Sequence, residues 1–264
     1  MAISVTEYLR GMFGLEGKVA ALIGGGGVLA GTVAKGYAQA GAKVAILDLK
    51  KEYAEARAKE IRELGGEAIS IAVDATSRAD LERADQEIID TFGRIDILVN
   101  APGINSSTPF FEITEEEWHR ILDVNLKSMF LACQVFGKRM IDQGEGGSVI
   151  NFSSASSGPP LSKVFTYSVS KAGVNNLTQW LAREWAPYKI RVNAIAPGFF
   201  PAEQNRKILT EERVRDIMRH TPMGRFGEAE ELVGAMIWLA SDKASSFVTG
   251  AIVRVDGGFT AMTI

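Results

Sequence analysis

Cysteine and histidine are scarce: Cys133, His119 and His220 are the whole supply in 264 residues. A lone thiol forms neither an intramolecular disulfide nor a Cys-based metal cage, and free Cys is usually a buried small hydrophobe. Two histidines so far apart in the chain read as helix-surface residues, so no metal site is expected. Long apolar runs are lacking too. The most apolar stretch, Val19 to Ala34, is shorter than the ~20 residues of a membrane span and contains four consecutive glycines. The leading segment MAISVTEYLRGMFGLEGK carries Glu7, Arg10 and Glu16 and has no apolar stretch of the ~7–15 residues that a secretory signal uses, so a cytoplasmic protein is expected. Charge of one sign is missing as well: 29 Lys and Arg are interspersed with 32 Asp and Glu, for a net charge of −3. That balance argues against a nucleic-acid or membrane partner and leaves a small molecule as the expected one.

What the chain does have is alternation. Short β-branched runs, KVAALI, KVAILD, AISIAV, IDILVN, GSVINF, IRVNAI and AIVRVD, recur with helical periodicity between most of them. This pattern reads as βαβ units building a parallel sheet, and the near-continuous apolar character of VAILD and DILVN fits strands covered on both faces. Helix starts are marked by Thr114 with Glu117 and Ser77 with Asp80, both at capping-box spacing, and by Thr210 before an acidic turn. No repeat or linker divides the chain, and α/β folds of roughly 250 residues are routinely one domain. The expectation is an arm over 1–16 followed by a single α/β domain over 17–264.

Directly after KVAALI comes GGGGVLAG and then a helical stretch, so Gly25, Gly27 and Ala30 fit G-x-G-x-x-A in a strand–turn–helix setting. Glycines there let backbone approach a pyrophosphate, whose charge is stabilised by the exposed N–H groups and positive end of the helix. Asp48 ends the second strand about 20 residues on, where a carboxylate accepts hydrogen bonds from adenosine ribose hydroxyls and repels a 2′-phosphate. NAD is therefore favoured over NADP, although Lys50 and Lys51 stand near enough to compensate, and Asp48 is also a natural solvated strand-end residue.

Tyr167 and Lys171 stand at i and i+4 in the helical segment FTYSVSKAGVNNLTQWLA, on one face about a turn apart. An ammonium beside a phenol is expected to lower its pKa from ~10 toward a range useful for general acid/base work on a carbonyl or alcohol oxygen.

With the glycine-rich turn, DVNL, NFSSASSG, YSVSK and APGFF in one chain order, the sequence resembles the short-chain dehydrogenase/reductase family from about Gly17 to Gly258. The resemblance implies a doubly wound Rossmann sheet in a three-layer α/β/α arrangement, NAD(P)-dependent hydride transfer at CH–OH groups, and a homotetramer. It implies a catalytic tetrad of Asn125, Ser154, Tyr167 and Lys171. In it Ser154 hydrogen-bonds the substrate oxygen, Lys171 also grips the nicotinamide ribose, and Asn125 holds a relay water. Its cofactor site comprises Gly24, Gly26, Gly27, Val28, Leu29, Asp48, Asp74, Ala75, Asn100, Gly103, Tyr167, Lys171, Pro197, Gly198 and Phe200.

Departures are visible. Ile23 precedes Gly24, and Val28, Leu29 and Ala30 replace the family's G-I-G. Asn100, Ala101, Pro102, Gly103 stand for N-N-A-G, and Ala202 occupies a position where a threonine is frequent. A substrate lid is implied near 199–225. The segments FFPAEQNR, SKVFTYSVSK and TQWLA resemble members of the family that reduce keto uronates, which implies contacts to a sugar acid from Asn105, Ser154, Lys163, Gln204, Asn205 and Arg206. A guanidinium suits a carboxylate bidentately, though Arg206 and Lys163 also read as solvated lid charges. The alternatives are a gluconate- or polyol-type dehydrogenase, a 3-oxoacyl reductase, or a non-catalytic dinucleotide sensor, whose signature would be a broken tetrad.

Overall fold

The computed structural model describes residues 4–201 and 210–262. All seven β-branched runs form strands: β1 (Val19–Ile23), β2 (Lys43–Asp48), β3 (Ala68–Ala72), β4 (Ile97–Asn100), β5 (Gly147–Phe152), β6 (Ile190–Pro197) and β7 (Ile252–Val255). They pair in parallel in the order β3-β2-β1-β4-β5-β6-β7. β1, β4, β5 and β6 are buried along their whole length, as near-continuous apolar runs require when helices cover both faces.

Successive residues of each strand feed opposite cores. On one face Leu22, Ile46, Val99 and Ile150 meet Val33 and Tyr37 of α2 (Val28–Gln39), Ile61 of α3 (Lys51–Glu63) and Met236 and Leu239 of a late helix. On the other, Ile23, Leu47, Leu98 and Val149 meet Leu81 and Ile88 of α4 (Arg78–Phe92), Phe136 and Met140 of α6 (Ser128–Gln143) and Leu181 of α7 (Phe165–Trp185). Each such side chain contributes roughly 1.5–3 kcal/mol on burial. Tyr37 is fully buried, and its hydroxyl donates to the Met236 carbonyl at 3.1 Å, which satisfies its polar tip.

Among the described residues the remaining α-helices are α1 (Val5–Phe13), α5 (Glu115–Leu122), α8 (Glu211–Arg219) and α9 (Val233–Ala240). The arm before the first strand is thus partly a helix, with a full capping box between Ser4 and Glu7 and no buried residue. Ser77, Thr114 and Thr210 cap α4, α5 and α8 through their hydroxyls. The reciprocal half of the two expected boxes goes elsewhere: Glu117 accepts from the Thr108 hydroxyl and Asp80 from the Asp74 N–H. Among the described residues no helix is long and apolar enough to cross a membrane.

Candidate active site

Strand order reverses between β1 and β4, so the loops leaving their carboxyl ends part and open a cleft, the usual ligand position in such sheets. The cleft measures about 460 Å³ and runs from the glycine-rich turn to Tyr167, Lys171 and Phe200. Gly24 has φ +72°, and a Cβ there would come within 2.9 Å of Ala101 C and Pro102 N, so a side chain would push the β4 loop away. Gly26 has no room either: an added Cβ would lie 2.8 Å from Asp48 Oδ2 and 2.7 Å from Tyr53 Cβ.

α2 begins at Gly27 with no side-chain cap. The N–H groups of its first turn, at Val28 and Leu29 on the cleft wall, therefore lack intrahelical acceptors. Asp48 Oδ2 accepts the Gly26 N–H and Oδ1 the Lys50 N–H, both at 3.1 Å, which leaves lone pairs for ribose hydroxyls. The Lys50 ammonium lies over the Tyr53 ring, 4.9 Å from its centroid. A cradle that a Cβ would fill, an uncapped helix start and a carboxylate at the strand end fit a dinucleotide.

Not every expected cofactor residue comes to this cleft. Gly103, Pro197, Gly198 and Phe200 line it. Asn100 is fully buried; its amide donates to Asn151 Oδ1 at 2.9 Å and reaches Cys133 Sγ at 3.5 Å, while its Oδ1 has no hydrogen-bond partner among the described residues. Its side chain thus ties β4 to β5 and α6 beneath the cleft. Asp74 engages its own turn, Oδ1 accepting from the N–H and hydroxyl of Thr76, and neither it nor Ala75 lines the central cleft.

The catalytic side is built on α5, α6 and α7. Between α5 and α6 the chain makes a π-helical turn, Asp123–Lys127, which presents Asn125; such widened turns often mark functional sites. Asn125 Oδ1 accepts the Ile104 N–H (2.8 Å), and its amide donates to the Ile104 carbonyl (2.9 Å) and to Ser170 Oγ (3.1 Å). Ser170 in turn donates to the Tyr167 carbonyl at 2.7 Å. A Cβ on Gly103 would lie 3.7 Å from Lys171 Nζ and 3.8 Å from Asn125 Oδ1, so both polar atoms flank one small space over that glycine.

Lys171 is buried, donates to the Phe152 carbonyl at 2.8 Å and lies 5.6 Å from the Tyr167 ring centroid. Burial pulls its pKa down to about 8. Burial also raises the Tyr167 pKa, opposed by the Ser154 hydroxyl. The expected lowering of the phenol by the ammonium is thus overturned: desolvation disfavours both charged forms, which keeps the phenol protonated and brings the Lys171 ammonium close to losing its proton near pH 8. Ser154 Oγ accepts from the N–H and hydroxyl of Ser156, both at 3.2 Å, which leaves its own proton free to donate.

Toward the substrate end, Asn105 is exposed on the cleft rim, its Oδ1 accepting the Ser106 N–H at 2.8 Å. Lys163 is exposed with φ +68°, and it makes no hydrogen bond or ion pair among the described residues. Gln204, Asn205 and Arg206 lie outside the described residues, as do Ala202 and Glu203. Sequence reasoning missed Ser156, Ser157, Ser170 and Asn175 around the tetrad. It also missed Arg213 of α8, which reaches Ser162 Oγ at 2.9 Å beside Lys163. Only Ser170, one turn beyond Tyr167, carried a usable sequence signal.

A glycine cradle beside a Tyr–Lys pair and a serine, at the switch point of a parallel sheet, defines a pyridine-nucleotide-dependent oxidoreductase acting on alcohol and keto groups. The chain belongs to the short-chain dehydrogenase/reductase family. The family model adh_short_C2, described as enoyl-(acyl carrier protein) reductase, matches residues 27–260. The uncharacterized oxidoreductase UxuB of Bacillus subtilis (strain 168) is 41% identical over 268 residues, covering 94% of this chain and 96% of that protein. A proposed D-mannonate oxidoreductase from Haemophilus influenza, solved with bound NAD, superimposes with a TM-score of 0.90 at 36% identity, covering 95% of this chain and 97% of the other. A gluconate 5-dehydrogenase from Burkholderia cenocepacia J2315, in complex with NADP and tartrate, gives 0.91 at 35% identity over 96% and 99% of the chains.

Proposed function

We propose that this protein moves a hydride between NAD(H) and a keto or hydroxy sugar acid, reducing D-fructuronate to D-mannonate. One observation carries the reading. A cleft joining Tyr167, Lys171 and Ser154 to a turn closed by Asp48 occurs in a chain similar along 95% of its length to a proposed D-mannonate oxidoreductase with bound NAD. Reduced nicotinamide, when bound, supplies the hydride that adds to the keto carbon. As the carbonyl π bond breaks, its oxygen takes the Tyr167 proton, and the raised pKa keeps that proton in place at neutral pH. Ser154 donates a hydrogen bond from its hydroxyl to the same oxygen and keeps its proton. Lys171 holds the nicotinamide ribose, and the space over Gly103 takes the water that relays protons between Asn125 and Lys171. Arg206, assigned from sequence, and Lys163 pair with the substrate carboxylate.

A second reading has its own support. The Lys50 ammonium over Tyr53, next to Asp48, offers charge for a 2′-phosphate, and the gluconate 5-dehydrogenase relative was solved with NADP. Under that reading the chain is a gluconate-type enzyme linked to NADP. Rates with D-fructuronate, 5-keto-D-gluconate, neutral ketoses and polyols, each with NADH and with NADPH, on wild type and Arg206→Ala, decide between them. The first reading expects D-fructuronate with NADH to be fastest and Arg206→Ala to lower kcat/KM for the acid. Equal rates on neutral sugars, or an unchanged kcat/KM in the variant, would sink the sugar-acid assignment. Faster turnover of 5-keto-D-gluconate with NADPH would establish the second reading.

Self-association as a homotetramer belongs to the same proposal. It is supported by a groove between α6 and α7 in which Phe130 and Trp180 are exposed beside Leu126 and Leu177. Light scattering on the purified protein tests it, and a monomer would refute it.

A further inference from the structure

The loop that carries Ser154 is held by a closed hydrogen-bond circuit. Ser153 Oγ donates to Asn175 Oδ1 at 2.6 Å, Asn175 Nδ2 donates to Ser157 Oγ at 2.8 Å, and Ser157 Oγ donates to the Ser154 carbonyl at 2.6 Å. The Ser157 N–H reaches that carbonyl as well, at 3.0 Å. Because Ser153 and Ser154 are neighbours, the circuit closes through the backbone. Asn175 stands on α7 one helical turn beyond Lys171 and two beyond Tyr167, on the same face. One helix therefore presents the proton donor and, through a single amide, grips the facing loop on either side of Ser154. An amide suits this task because its oxygen only accepts and its nitrogen only donates, so each hydroxyl proton in the circuit has one place to go.

We propose that Asn175 is a positioning residue: through Ser153 and Ser157 it sets the Ser154 hydroxyl on the same oxygen that Tyr167 protonates. The inference rests on the Ser154 and Tyr167 roles given under the proposed function. Its force is geometric, since a misplacement of about 1 Å in a group that contacts the reacting atoms can cost on the order of 10²-fold in rate.

The test is a double-mutant cycle on Ser154→Ala and Asn175→Ala, read as kcat, NADH affinity and the pH profile of kcat/KM. Ser157→Ala and Ser157→Thr are measured alongside. Asn175→Ala is expected to lower kcat about tenfold or more while leaving NADH affinity unchanged. It should also move the Tyr167 limb of the profile to higher pH, because the Ser154 hydroxyl is what holds that group down. In the Ser154→Ala background it should cost nothing further, and Ser157→Thr should rescue what Ser157→Ala loses. Equal losses in both backgrounds, or a kcat within about twofold of wild type, would overturn the positioning role alone, provided Ser154→Ala is impaired. If Ser154→Ala keeps full activity, the assignment of Ser154 fails and this inference falls with it. Should Asn175→Ala not fold, the Ser157 pair decides the matter, since equal activity of Ser157→Ala and Ser157→Thr would overturn the proposal.

Discussion

The helices of this molecule begin in two ways. α4, α5 and α8 start at Ser77, Thr114 and Thr210, whose hydroxyls accept an N–H of the first turn. α2 and α7, which border the cleft, start at Gly27 and Val164 with no side-chain cap. In the first group the capping side chain satisfies one backbone donor of each helix. In α2 the donors face the cleft and stay available to an anion. In α7 the first turn carries Tyr167, whose hydroxyl the proposed reaction uses. A missing cap is not enough by itself, since α3, α6 and α9 also start without one; at α2 it coincides with the glycine cradle, and that combination marks the site.

The largest effect expected at an uncapped helix is Tyr167→Phe. Removing one hydroxyl leaves the ring packing intact and should lower kcat by about 10²–10⁴-fold, with NADH affinity retained. If the variant kept most of its kcat, the proton donor would have to be sought elsewhere, and α7 would lose its place in the comparison.

Next comes the face of α7 that carries Lys171. Its pKa is depressed to about 8 in the folded chain from an ordinary value of 10.5. Between those two values the unfolded chain binds the proton and the folded chain does not, so stability without cofactor rises with pH across that window. Below about pH 8 the folded protein carries the full cost of burying the charge. The slope is at most about 1.4 kcal/mol per pH unit. Urea midpoints of wild type should therefore climb relative to Lys171→Met from pH 8 upward, with the variant the more stable at pH 7. Parallel curves for the two proteins would show that Lys171 is not desolvated.

Much of this arrangement is legible in the sequence, and the misses have physical reasons. The β-branched runs mark all seven strands because both faces of this sheet are buried, and the spacing of Tyr167 and Lys171 on one face follows from helical geometry alone. The sign of their pKa shifts does not, since it depends on how much protein α5, β5 and the β4 loop pack around them. The π turn at Asn125 leaves no trace in the apolar pattern; there the Asn125 amide pairs across to Ile104, far away in the chain. Glu117 and Asp80 stand at capping-box positions but are captured by Thr108 and the Asp74 N–H. Ser4 and Glu7, at the same spacing, do form a full box. Asn175 and Ser157 are 18 residues apart, and only the fold makes them partners.

A third experiment gives α2 the cap it lacks. Gly27 has φ −66°, and a Cβ there would lie 3.4 Å from its nearest neighbour, the Gly24 carbonyl oxygen, so Gly27→Asp fits with little strain. The carboxylate would bond the first-turn N–H groups and repel a pyrophosphate. Stability should hold or rise by a few tenths of a kcal/mol, while NADH affinity should fall by at least about tenfold, or roughly 1.4 kcal/mol. An unchanged NADH affinity would mean that the nucleotide phosphates bind elsewhere.

The smallest effect is expected at a capped helix. Thr114 Oγ1 accepts the Glu117 N–H at 3.1 Å, and the reciprocal bond from Glu117 is absent because that carboxylate serves Thr108 at 2.8 Å. Thr114→Ala therefore removes the capping hydrogen bond on an exposed turn and should cost ~1 kcal/mol. In a chain of this size that is a fall in Tm of about 2–4 °C, and Thr114→Ser should restore it. Neither NADH affinity nor kcat should change, because α5 contacts the tetrad through its far end, where the π turn begins. The control is sharp because Gly27→Asp and Thr114→Ala touch the same position of two helices in opposite directions, one adding a cap and one removing it. If Thr114→Ala weakened NADH binding as Gly27→Asp does, caps at this sheet edge would act on the cleft through general stability, and the separation of the two kinds of helix start would fail.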